Sequence, residues 1–354
     1  MKVLFIVPYP VGKAASQRYR VEQWLPMLQQ AGINYKLVPF WGAATWAILY
    51  KQGHTLQKFL GLIAGMFRRV KLLFQLRNYS YIFIHREATP VGPPWFEWVA
   101  AKVFRKKIVF DFDDAIWLPN TSAGNSIAAN YKWHRKTEQS IRWSYKISCG
   151  NYFLQQYALQ FNPSAVYLPT VLNTQHQYYQ LKQQQTARVT IGWIGSHSTL
   201  PYLGLIEPVL QQLEQKHTFD FIVIADRKPD LQLSNLKFIP WAEDTEIDSL
   251  LQCNIGVMPL PDTEWAKGKC AFKAIQYMAL GIPAVVSEVG ANIVAVPDSK
   301  VGYTCSTQQQ WYKRLNTLLL DADLRARLGS TGRHWVEQHY SVQAHQRTFL
   351  QLFT

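Results

Sequence analysis

The run Lys267-Gly-Lys-Cys-Ala-Phe-Lys-Ala-Ile-Gln276 sets two lysines, Lys269 and Lys273, across the start of a helical stretch that ends at Gly281. Amide N–H groups at a helix start carry partial positive charge, and two ammonium groups beside them would cradle a diphosphate. Lysines solvated on a surface loop are the plainer reading of the same residues. A second group is Asp111-Phe-Asp113-Asp114. Asp-x-Asp after a strand can hold a divalent ion. Asp113 and Asp114 would equally bind hydroxyls, accept a proton, or merely cap a strand end. Arg18 and Arg20 follow a loop containing Gly12, so one should point at a phosphate and the other at solvent. His85-Arg86 closes a strand, and Gly195-Ser196-His197 forms a second glycine loop. His134 and His197 are candidates without a rank, and no Ser-His-Asp or Cys-His arrangement is readable.

Elements with a fixed order must position these groups. Short β-rich runs at 3–7, 34–40, 81–85, 107–112, 146–149 and 165–168 alternate with helical stretches, the first of them running from about residue 17 to Ala31-Gly32. After a Gln-rich stretch at 173–187 the pattern restarts, with strands at 189–194, 219–224, 236–239, 255–258 and 284–287 and helices at 201–216 and 271–280. Short apolar strands separated by helices specify parallel sheets covered on both faces. Two tandem units, each opening strand, glycine loop, helix, predict two Rossmann-like domains, 1–170 and 171–340. Residues 341–354 form a final helix that can pack back on the first domain. Ligands of such sheets bind at the carboxyl ends of the strands, which places the expected site in the cleft between the halves.

Composition narrows the function. The chain is 354 residues long, 48% hydrophobic and 17% charged, which excludes disorder and leaves room for two cores. No apolar run reaches the ~20 residues needed to cross a bilayer, and no signal peptide is read. Four dispersed cysteines, with no Cys-x-x-Cys, predict neither a zinc site nor disulfides and fit a reducing cytoplasm. Residues 1–170 carry 21 Lys and Arg against 7 Asp and Glu, and residues 171–354 carry 16 against 16, so the whole formal charge of +14 lies in the first half. That half should meet an anionic partner.

The segment 276–286, Gln-Tyr-Met-Ala-Leu-Gly-Ile-Pro-Ala-Val-Val, resembles the C-terminal signature of the retaining glycosyltransferases of family 4. Similar matches follow in the family's order: Ser16-Gln-Arg-Tyr-Arg20, Phe110-Asp-Phe-Asp-Asp-Ala-Ile-Trp117, Cys149-Gly-Asn-Tyr-Phe-Leu154, Leu168-Pro-Thr170, Ile191-Gly-Trp-Ile-Gly-Ser196 and Asn254-Ile-Gly-Val-Met-Pro-Leu260. The resemblance implies a GT-B fold and transfer with retention from a nucleotide-sugar donor to a glycan or lipid-linked acceptor, as in bacterial surface polysaccharide synthesis. The leaving phosphate would help to deprotonate the acceptor. It also implies Glu-x7-Glu where this chain has Gly268 and Gln276, and an Arg where Ser196 stands. Lys269 and Lys273 would then supply the positive charge from the other side of the diphosphate, with Lys269 also acting in catalysis. Trp241 lies near the base and Gln276 near the ribose, and neither a metal nor another cofactor is expected.

The metal-binding Asp-x-Asp belongs to single-domain GT-A transferases, so Asp113 and Asp114 are assigned to the catalytic, acceptor-facing side, with Arg18, Arg20 and Arg86 beside them. A GT-B sugar-nucleotide epimerase and a degenerate, non-catalytic nucleotide- or glycan-binding protein remain as alternatives. No nucleic-acid module is present. Between Leu56 and Phe74, apolar residues such as Phe59, Ile63, Phe67 and Val70 recur at helical spacing, with Lys58, Arg68, Arg69 and Lys71 elsewhere on the helix. Either this stripe packs on the first sheet, or residues 54–77 dock a cytoplasmic protein on an anionic membrane surface.

Overall fold

The computed structural model describes residues 1–118 and 135–354. The chain divides into two compact units, Met1–Thr170 together with Gln346–Thr354, and Val171–His345.

In the first unit, β1 (Lys2–Val7), β2 (Asn34–Pro39), β3 (Tyr81–His85), β4 (Lys107–Phe112), β5 (Lys146–Cys149) and β6 (Ala165–Tyr167) form one parallel sheet in the order β2-β1-β3-β4-β5-β6. β1, β3 and β4 are buried on both faces along almost their whole length, so they read as continuous apolar runs. Phe349 stacks on Trp24 at 4.4 Å between centroids, and Phe353 lies 6.3 Å from Phe5 and 6.2 Å from Phe83. The last residues of the chain thus complete the first core. The helix expected from residue 17 to 31 is three pieces, Ala15–Arg20, a 3-10 turn at Glu22–Trp24, and Leu25–Gln30. Pro26 explains the break, since it has no N–H to donate and is tolerated only in a helix's first turn.

In the second unit, β7 (Thr190–Gly195), β8 (Asp220–Ala225), β9 (Leu236–Pro240), β10 (Ile255–Met258), β11 (Ala284–Ser287) and β12 (Gly302–Cys305) form a parallel sheet in the order β12-β11-β10-β7-β8-β9. The expected helix at 201–216 is a 3-10 segment, Leu200–Leu205, followed by an α-helix, Glu207–Glu214. Strand order reverses between β1 and β3 in the first unit and between β7 and β10 in the second. At such a switch the connections leave on opposite faces, which opens a crevice at the strands' carboxyl ends. His85 ends β3 and Gly195 ends β7, so each unit puts a candidate residue at its own switch point.

Candidate functional site

In the first unit the carboxyl edge of β3 and β4 gathers charge. Strand pairing sets His85 opposite Asp111. His85 Nδ1 lies 2.7 Å from Asp111 Oδ2, and His85 Nε2 lies 2.9 Å from Ser16 Oγ. A carboxylate only accepts, so Nδ1 carries the hydrogen. This is a linear Ser-His-Asp chain, which sequence reading did not detect. It differs from a hydrolase triad in its far end, because Arg20 forks onto Asp111 and also donates to Ser148 Oγ at 2.8 Å and to the Leu168 carbonyl. Burial pushes the Asp111 carboxyl up, but the neighbouring Arg20 and His85 outweigh it and hold it below the usual carboxylate range. Ser16 also hydrogen-bonds the Asp113 carboxylate. Its single proton therefore has two takers, Asp113 and His85 Nε2, and which one it serves depends on whether Nε2 bears a hydrogen.

Arg86 sits in the left-handed backbone region at φ 61°, donates from Nε to Asp113 Oδ1 at 2.7 Å, and donates from Nη2 to Asp114 Oδ2 at 2.6 Å. A non-glycine residue held there stores strain, and such strain clusters at functional sites. Burial raises the Asp113 carboxyl, but Arg86, His85 and Arg20 together hold it far below its ordinary value. Arg18 and Arg20 are both buried, which corrects the expectation that one of them faces solvent. Arg20 is an internal ion-pair partner that orients Asp111 and through it His85. The carboxylates of the Asp-x-Asp are engaged by Arg20, His85 and Arg86, a cationic environment that does not fit a divalent ion. Among the described residues no cluster of three His, Cys, Asp or Glu side chains is arranged to hold a metal. His134 lies outside the described residues.

In the second unit the site is built around β7 and the helix Phe272–Ala279. Tyr277 fixes this helix to the sheet, accepting the Ile194 N–H at 3.0 Å and donating to the Val257 carbonyl at 3.3 Å. The helix start then lies beside the glycine loop. Its first turn has no side-chain cap, and Ala271 before it adopts a left-handed conformation at φ 55°. Lys273 lies over the Trp193 ring at 5.4 Å and runs along Gly195, where a Cβ would come within 2.9 Å of Lys273 Cε and 2.3 Å of Trp193 Cη2. Only glycine leaves that channel open. Lys269 stacks over Trp265 at 5.0 Å. Ser196 Oγ is 2.9 Å from Ser198 Oγ, and Asp226 after β8 binds both the backbone N–H and Nδ1 of His197, each at 2.6 Å. The structure thus brings Lys273 and Gly195 together at the start of this helix.

Gln276, the expected ribose ligand, is held in a buried network. It is 3% exposed, and its Nε2 donates to Tyr178 Oη at 2.8 Å and to Glu246 Oε1 at 3.2 Å. Tyr178 donates to the same Glu246 oxygen at 2.9 Å, while Trp241 Nε1 donates to Glu246 Oε2 at 2.8 Å. Both amide hydrogens of Gln276 are used, so any further bond must be accepted by its carbonyl oxygen, the polarity a carboxylate would offer a hydroxyl. Glu246 and Tyr178 were not read from the sequence as site residues.

No protein-family model matches the chain, and no curated protein sequence matches it. Solved structures do. A sucrose-phosphate synthase from Thermosynechococcus elongatus is 14% identical over 99% of this chain and 98% of its own, with a TM-score of 0.71. A glycosyltransferase from Rickettsia africae ESF-5 is 13% identical over 99% of this chain and 97% of its own, with a TM-score of 0.67. HepE from Anabaena, solved with UDP-glucose, is 14% identical over 99% of both chains, with a TM-score of 0.67. The fold is GT-B, two Rossmann-like domains each built on a six-stranded parallel sheet.

Proposed function

We propose that the protein is a retaining glycosyltransferase that moves a hexosyl group from a nucleotide sugar to a glycan or lipid-linked acceptor, in the manner of bacterial surface polysaccharide synthesis. One observation carries this reading: Lys273 lies along Gly195 at the switch-point end of β7, in the first turn of the helix Phe272–Ala279. Fixed cations and oriented N–H groups favour a diphosphate, and they stabilise it most when the sugar's C1–O bond breaks and charge concentrates on the leaving phosphate. HepE was solved with UDP and UDP-glucose, which supports a nucleotide-sugar donor here.

In this reading the donor diphosphate lies over Lys273 and Lys269, and Trp241 flanks the base in an orientation fixed by Glu246. Gln276 would accept one ribose hydroxyl through its carbonyl oxygen. Bond formation to the acceptor oxygen occurs on the face the phosphate leaves, and the acceptor's proton passes to a phosphate oxygen. Lysines fill the role of a divalent ion, so none is required. Arg86, offset by two carboxylates, suits sugar hydroxyls on the acceptor side better than a bare anion.

Thermal unfolding with a panel of nucleotides and nucleotide sugars tests the donor assignment. A ligand at 100 times its Kd stabilises by ~2.7 kcal/mol, an upward shift of roughly 5–10 °C for a unit of this size. No shift with any nucleotide would remove the donor site. Donor turnover should then persist in EDTA, and a strict Mn²⁺ or Mg²⁺ requirement would overturn the metal-independent mechanism. An epimerase would alter the sugar without an acceptor, and a non-catalytic binder would shift in temperature yet leave the donor intact.

A further inference from the structure

The helix Thr55–Leu73 packs on the first unit by an unexpected face. Gly65, Arg69 and Leu72 are its buried residues. A Cβ at Gly65 would lie 2.5 Å from the Phe40 ring, and one at Gly61 would lie 2.4 Å from the Thr45 side chain, so the two glycines let this helix sit close to its neighbours. Arg69 is 0% exposed and donates to the carbonyls of Val7 at 3.0 Å, Val38 at 3.2 Å and Ala88 at 2.8 Å, and Arg68 donates to Pro39 and Phe40. The two arginines therefore anchor the helix to strand ends. This corrects the expectation that they flank a lipid-facing stripe.

The apolar stripe points the other way. Leu56, Phe59, Leu60, Ile63, Phe67 and Phe74 are 49–82% exposed. With each residue turning by ~100°, they project within about 60° of one direction, opposite Gly65, Arg69 and Leu72. The reading in which the stripe packs on the first sheet is excluded. Large apolar side chains aligned on a solvent-facing helix mark an interaction surface.

We infer that this face docks the first unit on an anionic phospholipid bilayer, a conclusion independent of the donor-site reading. Charge selects the occupant. Residues 23–86 contain eight Lys and Arg and no Asp or Glu, and Lys36, Lys51, Lys71 and Arg77 in this stretch are exposed. Asp111, Glu87 and Glu138 are balanced by Arg20, Lys136 and Arg142 outside this stretch, and Arg86 at its end is balanced by Asp113 and Asp114, so the other seven Lys and Arg outnumber the one carboxylate these pairs leave over. A second copy on the same face would oppose like charges around an apolar centre, whereas anionic headgroups around inserted side chains complement both features. Trp46 in the preceding helix, Ala43–Leu49, and Tyr50 at its C-terminal cap, edge-to-face at 5.5 Å, add the amphipathic rings that favour a membrane interface. No described helix is long and apolar enough to cross a membrane.

Sedimentation with phosphatidylglycerol–phosphatidylcholine vesicles tests this. The wild type should pellet at low salt, less at high salt, and weakly with phosphatidylcholine alone. Phe59→Ser with Phe67→Ser and Phe74→Ser should lower partitioning by a hundredfold or more, and Lys51→Glu with Lys71→Glu by at least tenfold, while both variants keep the wild-type unfolding temperature. The inference is overturned if the wild type remains in the supernatant with anionic vesicles. It is equally overturned if the triple variant pellets like the wild type, or if light scattering shows a wild-type dimer that the triple variant converts to a monomer.

Discussion

Replacing Asp111 with Asn leaves the shape of the first unit's charged edge intact but strips the guanidinium of Arg20 of its counter-charge. Arg20 is 1% exposed and Asp111 0% exposed, so water cannot replace the lost partner. Breaking a buried ion pair from one side costs ~3–5 kcal/mol, and because Asn still accepts one N–H the lower end applies, about 3 kcal/mol. With a urea m-value of roughly 2 kcal/mol/M for a unit of this size, the midpoint should fall by about 1.5 M. Hydrogen exchange read on peptides of the first unit separates its unfolding from that of the second. The pH dependence has a definite sign. Asp111 is held below its unfolded value of ~3.9, so the stability it contributes is complete above that pH and is lost as pH falls through the folded value. The gap between wild type and variant should therefore be full at pH 7 and narrow below about pH 4. Exchanging the pair together, Arg20→Met with Asp111→Leu, should cost less than the two single changes summed. A gap under ~1 kcal/mol at pH 7, or one that persists unchanged at pH 2, would refute the assignment of Arg20 and Asp111 as a buried, coupled pair.

Two further outcomes follow from the second unit. Lys269→Ala with Lys273→Ala should abolish nucleoside-diphosphate binding in calorimetry without lowering the unfolding temperature, and either change alone should weaken binding more than tenfold, since a charged hydrogen bond contributes ~1.5–3 kcal/mol; unchanged affinity in the double variant takes the diphosphate away from this helix. Glu246→Ala removes the common acceptor of Tyr178, Trp241 and Gln276, so the unfolding temperature should drop by several degrees and the donor nucleotide should bind more weakly, with Glu246→Gln intermediate. Wild-type binding in Glu246→Ala, measured below its unfolding temperature, would detach this network from the nucleotide.

The strands that were legible from sequence are those whose burial on both faces leaves an unbroken apolar run, such as Val3–Leu4–Phe5–Ile6–Val7 in β1. β12 was not, because its four residues, Gly-Tyr-Thr-Cys, form an edge that pairs only with β11 and carry no pattern of their own. The lysines of the second unit were readable because they flank a helix start in consecutive sequence. Glu246 and Tyr178 were not, since the first lies 30 and the second 98 residues from Gln276 and only the packing of three elements joins them. His85 and Asp111 occupy an intermediate position. Each stands at the carboxyl end of a strand, and once β3 and β4 are neighbours the register pairs them directly. Both were candidates from sequence, and a search for polar residues at the ends of adjacent parallel strands would have joined them as a pair and added Asp226 after β8.

The helix Thr55–Leu73 shows where periodicity stops carrying information. A hydrophobic stripe says that one face of a helix differs from the other, and for a soluble domain the default is that the apolar face is the core. That default assumes hydrogen-bond donors belong outside. Here the strand ends of the first unit present backbone carbonyls that must be satisfied, and the guanidinium of Arg69, with its five N–H groups, meets carbonyls from β1, from β2 and from the loop containing Ala88. The Val7 carbonyl also accepts the Phe40 N–H, and leucine at position 69 would remove the charge-assisted bonds to all three carbonyls, at ~1.5–3 kcal/mol each. Together with the room left by Gly61 and Gly65, this requirement outweighs the burial of an apolar face, and the stripe is turned outward as a consequence. The basic excess of the first half is therefore two populations. Arg20, Arg69 and Arg86 serve the fold and the charged strand edge from within, while the lysines around residues 36–71 remain to act on whatever anionic surface the protein meets.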